Sequence, residues 1–137
     1  MMKCVSLDDQ IKKYLFNSEF KLSLEERKII VALASMVTEA DEDSKEYVFS
    51  VDEFTSLIGM KDERKYSELS KVTKGLIGKV FEIEDDDTLT QLSWISSAMY
   101  KTDGKDVEEV ILSFSPLLKP YMLNIHTLFE KYKLDYI

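Results

Sequence analysis

Ile29, Ile30, Leu33, Ala34 and Val37 recur at helical spacing and share one side of the chain. The stretch SLEERKIIVALASMVTE thus predicts a helix over 23–39 with its apolar stripe on a core. Ser23 and Glu26 have the spacing of a capping box that opens it. DEDSKE at 41–46 is wholly polar and predicts a solvated loop. YVFSV at 47–51 has the aromatic and β-branched content of a short strand. Ser50 with Glu53 marks a second capping box, and its helix runs through Ile58. Gly59 suits the left-handed residue that ends such a helix, and MKDE then forms a turn. A weaker pattern of Leu7, Ile11, Tyr14 and Leu15 predicts a short helix within 6–18.

RKYSELSKVTKGLIGKV, from residue 64, is the next helical stretch. At about 100° per residue, Tyr66, Leu69, Val72, Thr73, Leu76, Ile77 and Val80 fall within an arc of about 140°. Arg64, Ser67, Glu68, Lys71, Lys74 and Gly78 occupy the opposite arc. One side therefore packs on a core, and the other is polar, mostly basic and rich in small residues. Gly75 and Gly78 leave room for another backbone to approach closely.

Strands follow. KVFEIE (79–84) leads into an acidic turn, DDDT, and LTQLSWISSAMY (89–100) predicts one long strand. Leu92, Trp94, Ala98 and Tyr100 share a face of it at period two, with Ser96 interrupting. On that alternation, Trp94 and Tyr100 are core residues rather than stacking platforms. Asp103-Gly104 signals a hairpin turn, and VEEVILSF (107–114) returns with Val110, Leu112 and Phe114 on one face. Pro116 opens a final helical region, which Pro120 is placed to divide. Two short helices joined by a tight turn make a helix-turn-helix, and a hairpin after the second makes it winged. The expected fold class is α+β: a winged helix-turn-helix with a long β-hairpin and flanking helices. Residues 1–20 form an N-terminal segment and 21–137 the winged-helix domain.

The 137 residues suit one domain with a sizeable core. The longest apolar run, IIVALA at 29–34, is too short for a bilayer, and the N-terminus has no apolar signal core. With Cys4 as the single cysteine, a reducing, cytoplasmic setting is expected. Net charge is −8, which argues against coating nucleic acid non-specifically. Charge is uneven, however. Residues 61–79 hold six cations and three acids, net +3, so the remainder carries −11. That basic face is either solvated or turned to DNA.

Catalytic and metal chemistry find little support. Asp41, Glu42 and Asp43 imitate a calcium loop, but Glu46 stands where its glycine belongs, so a solvated turn is expected. Asp85–Asp87 reads the same way. His126 is the sole histidine, with no sequence neighbour to share a zinc ion, and is read as a surface or helix-packing residue. There is no Gly-rich phosphate loop and no nucleophile elbow. No cofactor and no enzymatic activity are expected.

FKLSLEERKIIVALAS, YVFSVDEFTSLIGM, KYSELSKVTKGLIGKVFEI, LSWISSAMY, VILSFSPLLKPYMLNI and LFEKYKLDYI, in this order and spacing, carry a resemblance. Over residues 20–137 the chain resembles the first of the two winged-helix domains in initiator (Rep) proteins of theta-replicating, iteron-type plasmids. The resemblance implies binding to repeated origin sequences, opening of the origin, and dimers that repress their own promoter. It implies that this domain dimerises and contacts the DNA backbone while a second domain reads sequence. The implied partners are double-stranded plasmid origin DNA, a second copy of the chain and host replication-initiation proteins, with no membrane. The chain stops at Tyr136-Ile137, where the resemblance leads one to expect a second winged-helix domain, so a truncated initiator is expected. Arg64, Lys65, Ser67, Lys71 and Lys74 fall in the recognition-helix stretch of the resemblance. Arg64, Lys71 and Lys74 are assigned to phosphate, Ser67 serves as a small neutral donor, and Lys65 borders the apolar arc. Lys101 and Lys105 at the hairpin tip either contact DNA or are solvated. The competing expectation is a protein-interaction or dimerisation domain, or a transcriptional regulator, that does not touch DNA directly.

Overall fold

Helix α1 spans Leu24–Met36 and opens on the expected capping box. The Glu26 amide donates to Ser23 Oγ at 3.1 Å, and the Ser23 amide donates to Glu26 Oε1 at 2.8 Å. The computed structural model describes residues 22–85 and 87–132, and the helix expected within 6–18 lies outside them. Ile29, Ile30, Leu33, Ala34 and Val37 are all completely buried, so the stripe is the core face. The helix stops at Met36 rather than 39, because Val37 is already extended.

Strand β1 (Tyr47–Ser50) leads directly into α2 (Val51–Leu57) through the second capping box. Gly59 takes a left-handed φ of 71°, ending α2 as its sequence position predicts. Helix α3 covers Tyr66–Ile77. Its buried residues are Leu69, Ser70, Thr73 and Leu76, so the inward side is rotated toward Ser70 from the expected arc. Tyr66 is 49% exposed, and Val80, 62% exposed, is already in the following strand.

The long strand expected over 89–100 does not form. Strand β3 (Thr88–Ser93) pairs only with β2 (Val80–Asp85), while β4 (Ser97–Thr102) belongs to a second sheet. Between them Trp94 and Ile95 are both buried, at 3% and 0% exposure. Successive residues of a strand point to opposite faces. Burying two in a row turns the chain out of one sheet and into the other. Trp94 stacks on Phe81 at 4.4 Å between ring centroids, which closes β2–β3 over the core.

Strand β5 (Val107–Ser113) completes an antiparallel sheet of order β1-β5-β4. The wing is therefore β4–β5, and β2–β3 is an additional hairpin between it and α3. Gly104 turns the wing tip with a φ of 98°. Asp103 Oδ1 accepts the amides of Asp106 at 2.8 Å and Lys105 at 3.0 Å, which hold its carboxyl below the usual range. A 3-10 turn at Pro116–Leu118 precedes α4 (Lys119–Tyr132). Pro120 sits in the first turn of α4, where no amide donor is needed, and leaves the helix undivided. Helix α4 packs on α1, with His126 Nδ1 3.3 Å from the Val37 carbonyl.

The 41–46 loop is less passive than its polarity implies. Asp41 accepts the Thr38 amide at 2.9 Å, the Thr38 hydroxyl at 2.8 Å, the Tyr47 hydroxyl at 2.9 Å and Lys45 Nζ at 3.2 Å. Its side chain is only 7% exposed. Above all the Thr38 donors hold its carboxyl well below the usual range, while burial and the Asp41 carboxylate push the Tyr47 phenol up. A depressed carboxylate stabilises the fold above its unfolded pKa, near 4, and loses that contribution as pH falls through the folded value. The urea midpoint of Asp41→Asn should therefore lie below wild type at pH 7. The gap should close in acid, below about pH 4. A gap of constant size down to the acid limit would contradict this role.

Candidate nucleic-acid interface

Helices α2 and α3 with the turn between them make the helix-turn-helix, and the strands fix α3 in place. At its start, the Arg64 carbonyl accepts the Val107 amide of the wing at 2.9 Å. At its end, the Ile77 carbonyl accepts the Ser93 hydroxyl at 3.0 Å. In the middle, the Tyr100 hydroxyl lies 2.7 Å from Thr73 Oγ1 and donates toward the Leu69 carbonyl at 3.3 Å. Burial pushes the Tyr100 phenol up to about 12, so it is neutral at ordinary pH. The Tyr66 ring meets Tyr100 edge-on at 5.0 Å.

Glu26 meets the C-terminal end of α3 and Lys79 just beyond it. Buried at 5% exposure, it accepts Lys79 Nζ while serving the α1 capping box. Its Oε2 lies 2.9 Å from where a Cβ on Gly75 would come. The space at Gly75 thus admits a carboxylate rather than a backbone. Lys79, one of the six cations in the basic segment, is engaged by Glu26.

With α3 held on these sides, Ser67, Lys71 and Lys74 stand together on its exposed face. Lys74 has no ion-pair partner among the described residues, whereas Lys71 reaches Glu68 at 3.3 Å. Lys65 is the exposed N-cap residue and offers no side-chain cap. Just ahead of the helix, Glu63 Oε2 accepts the amides of Arg64 and Lys65, each at 3.0 Å. The Arg64 guanidinium is paired with Asp52 of α2.

The wing cations stand apart. Strand alternation puts Lys101 on the sheet face opposite Tyr100, and Tyr100 is the residue that meets α3. Lys101 lies 3.9 Å from Glu109. Lys105 is exposed in the tip turn, without an ion-pair partner among the described residues. The sequence-based reading took Glu26 only as a capping residue and Thr73 only as part of the apolar arc, and it missed Asp52 and Glu63, whose carboxylates pair with or position the start of the basic helix. Glu63 alone carried a local signal, an acid just ahead of a helix start.

That outer sheet face carries a second feature. Val48 of β1, Ile111 of β5 and Met99 of β4 stand in one cross-strand row. Val48 is 45% exposed and Met99 47% exposed. At the β1 end the row meets a groove lined by Ala32, Met36, Phe49 and Leu57 together with the polar Ser35 and Glu53. Among the described residues, no group of acids, histidines and cysteines could hold a metal ion. Nor is any described helix long and apolar enough to cross a membrane.

The family model described as "Initiator Replication protein, WH1" matches residues 10–137. No curated protein matches the chain in sequence. Among solved structures, it is similar to the crystal structure of the WH1 domain of a replication protein isolated from a multiple sclerosis patient. The identity is 17% and the TM-score 0.54, with 95% of this chain and 98% of that one covered. At this identity the likeness shows the fold, a winged helix, and nothing finer.

Proposed function

Because the chain belongs to the initiator replication protein family as its WH1 domain, we propose that it serves plasmid replication by accessory contact with the backbone of origin DNA. The action is binding, without catalysis. The observation that carries this reading is the exposed Ser67, Lys71 and Lys74 face, on a helix tied to strands at its start, middle and end. A rigid, weakly basic face can position a protein on phosphates without reading bases. The acidic remainder keeps such contact weak. Repression of the protein's own gene and contacts with host initiation proteins belong to the same proposal, through the family.

The test is binding of the 137-residue chain to a fluorescein-labelled duplex across a salt series. Two or three phosphate contacts predict a slope of log K against log salt of about −2 to −3. Absence of binding at low salt would count against the reading.

The Val48–Ile111–Met99 row favours a second role, self-association. Strand β4 ends its sheet, with a strand partner on one side only among the described residues. A free edge and an exposed apolar row offer an identical chain both backbone pairing and apolar burial. Sedimentation against concentration tests this, and a monomer throughout the micromolar range would count against it.

A further inference from the structure

The Arg64–Asp52 pair places an acid of α2 where the proposed interface would present a cation. The Arg64 backbone is fully tethered: its amide donates to Glu63 at 3.0 Å, and its carbonyl accepts the Val107 amide at 2.9 Å. Only the side chain is free to move, and it is committed to Asp52. The pair is open to solvent, with side-chain exposures of 38% for Arg64 and 77% for Asp52. A carboxylate and a phosphate present the same two-oxygen geometry to a guanidinium fork. Glu68 repeats the arrangement one step away, pairing Lys71 at 3.3 Å.

Resting on the DNA-backbone reading above, we propose that Asp52 is an affinity-limiting residue that acts as a resident phosphate mimic. It holds Arg64 neutralised, so a DNA phosphate gains Arg64 only by displacing a carboxylate. Exposed ion pairs are weak, so the displacement is feasible and costs only part of the contact. Binding to DNA of any sequence by this domain is thereby kept low, and among the described residues Lys74 is the cation of the α3 face left without an ion-pair partner.

The test uses the full 137-residue chain and a fluorescein-labelled mixed-sequence duplex over a salt series. Asp52→Asn should tighten binding about two- to fivefold at low salt. It should also steepen the salt slope by up to about one, the signature of one more phosphate contact. In an Arg64→Ala background both changes should vanish, because the released partner is gone. An unchanged slope, or the same gain in that background, would overturn the proposal, since the gain would then reflect only a lost negative charge. The underlying reading fails separately: Lys74→Ala would leave binding unaffected, or neither wild type nor Asp52→Asn would bind. If Lys74→Ala weakens binding while Asp52→Asn is inert, the interface stands and the role of Asp52 is refuted.

Discussion

Lys71→Glu combined with Lys74→Glu is expected to weaken binding to duplex DNA by roughly 30- to 150-fold at low salt. Each reversal removes an attraction and adds a repulsion beside a phosphate. At solvent-exposed positions this amounts to about 2–3 kcal/mol for the two together. Lys74 contributes the larger share, because it is unpaired among the described residues while Lys71 is compensated by Glu68. Reversal at 71 also sets a second carboxylate beside Glu68, which costs the helix only a few tenths of a kcal/mol. Both positions are exposed, so the circular-dichroism spectrum and melting temperature should stay close to wild type. Unchanged binding in a folded double variant would remove α3 from the interface.

Phe54→Ala is expected to destabilise the domain by about 3–5 kcal/mol, through lost apolar contact and the cavity left behind. Phe54 is completely buried in α2 and meets Phe49 of β1 edge-on at 6.3 Å. It holds the first helix of the helix-turn-helix against the sheet that carries the wing. Domains of this kind have about 5–15 kcal/mol in all, so the loss is a large fraction. The readout is the urea midpoint. A loss under about 1 kcal/mol would mean that Phe54 is not an anchor of the core.

What the sequence disclosed was local. Ser23 with Glu26, and Ser50 with Glu53, act over three residues, and both capping boxes form. Gly59 and Gly104 supply positive φ, Asp103 adds a local side-chain acceptor, and both turns follow. The break at 94–96 went unread because Leu92, Trp94, Ala98 and Tyr100 keep period two across it. The contrary signal was Ile95, a large apolar residue beside Trp94 that a half-buried strand has no reason to place outward. Long-range pairings were not legible. Glu26 meets Lys79 across 53 positions, and Asp52 meets Arg64 across 12. The basic face was visible from periodicity. Its neutralisation was not, because Asp52 lies on another helix and Lys79 turns to a buried carboxylate.

If the proposed interface is right, the exposed face of α3 is the surface that meets DNA. The most direct test is titration of the isotopically labelled chain with duplex DNA at low salt, following backbone amides. Shifts should concentrate at Ser67, Lys71 and Lys74, fade as salt is raised, and leave the Val48–Ile111–Met99 row undisturbed. Perturbations confined to that row, with α3 silent, would contradict the proposed interface.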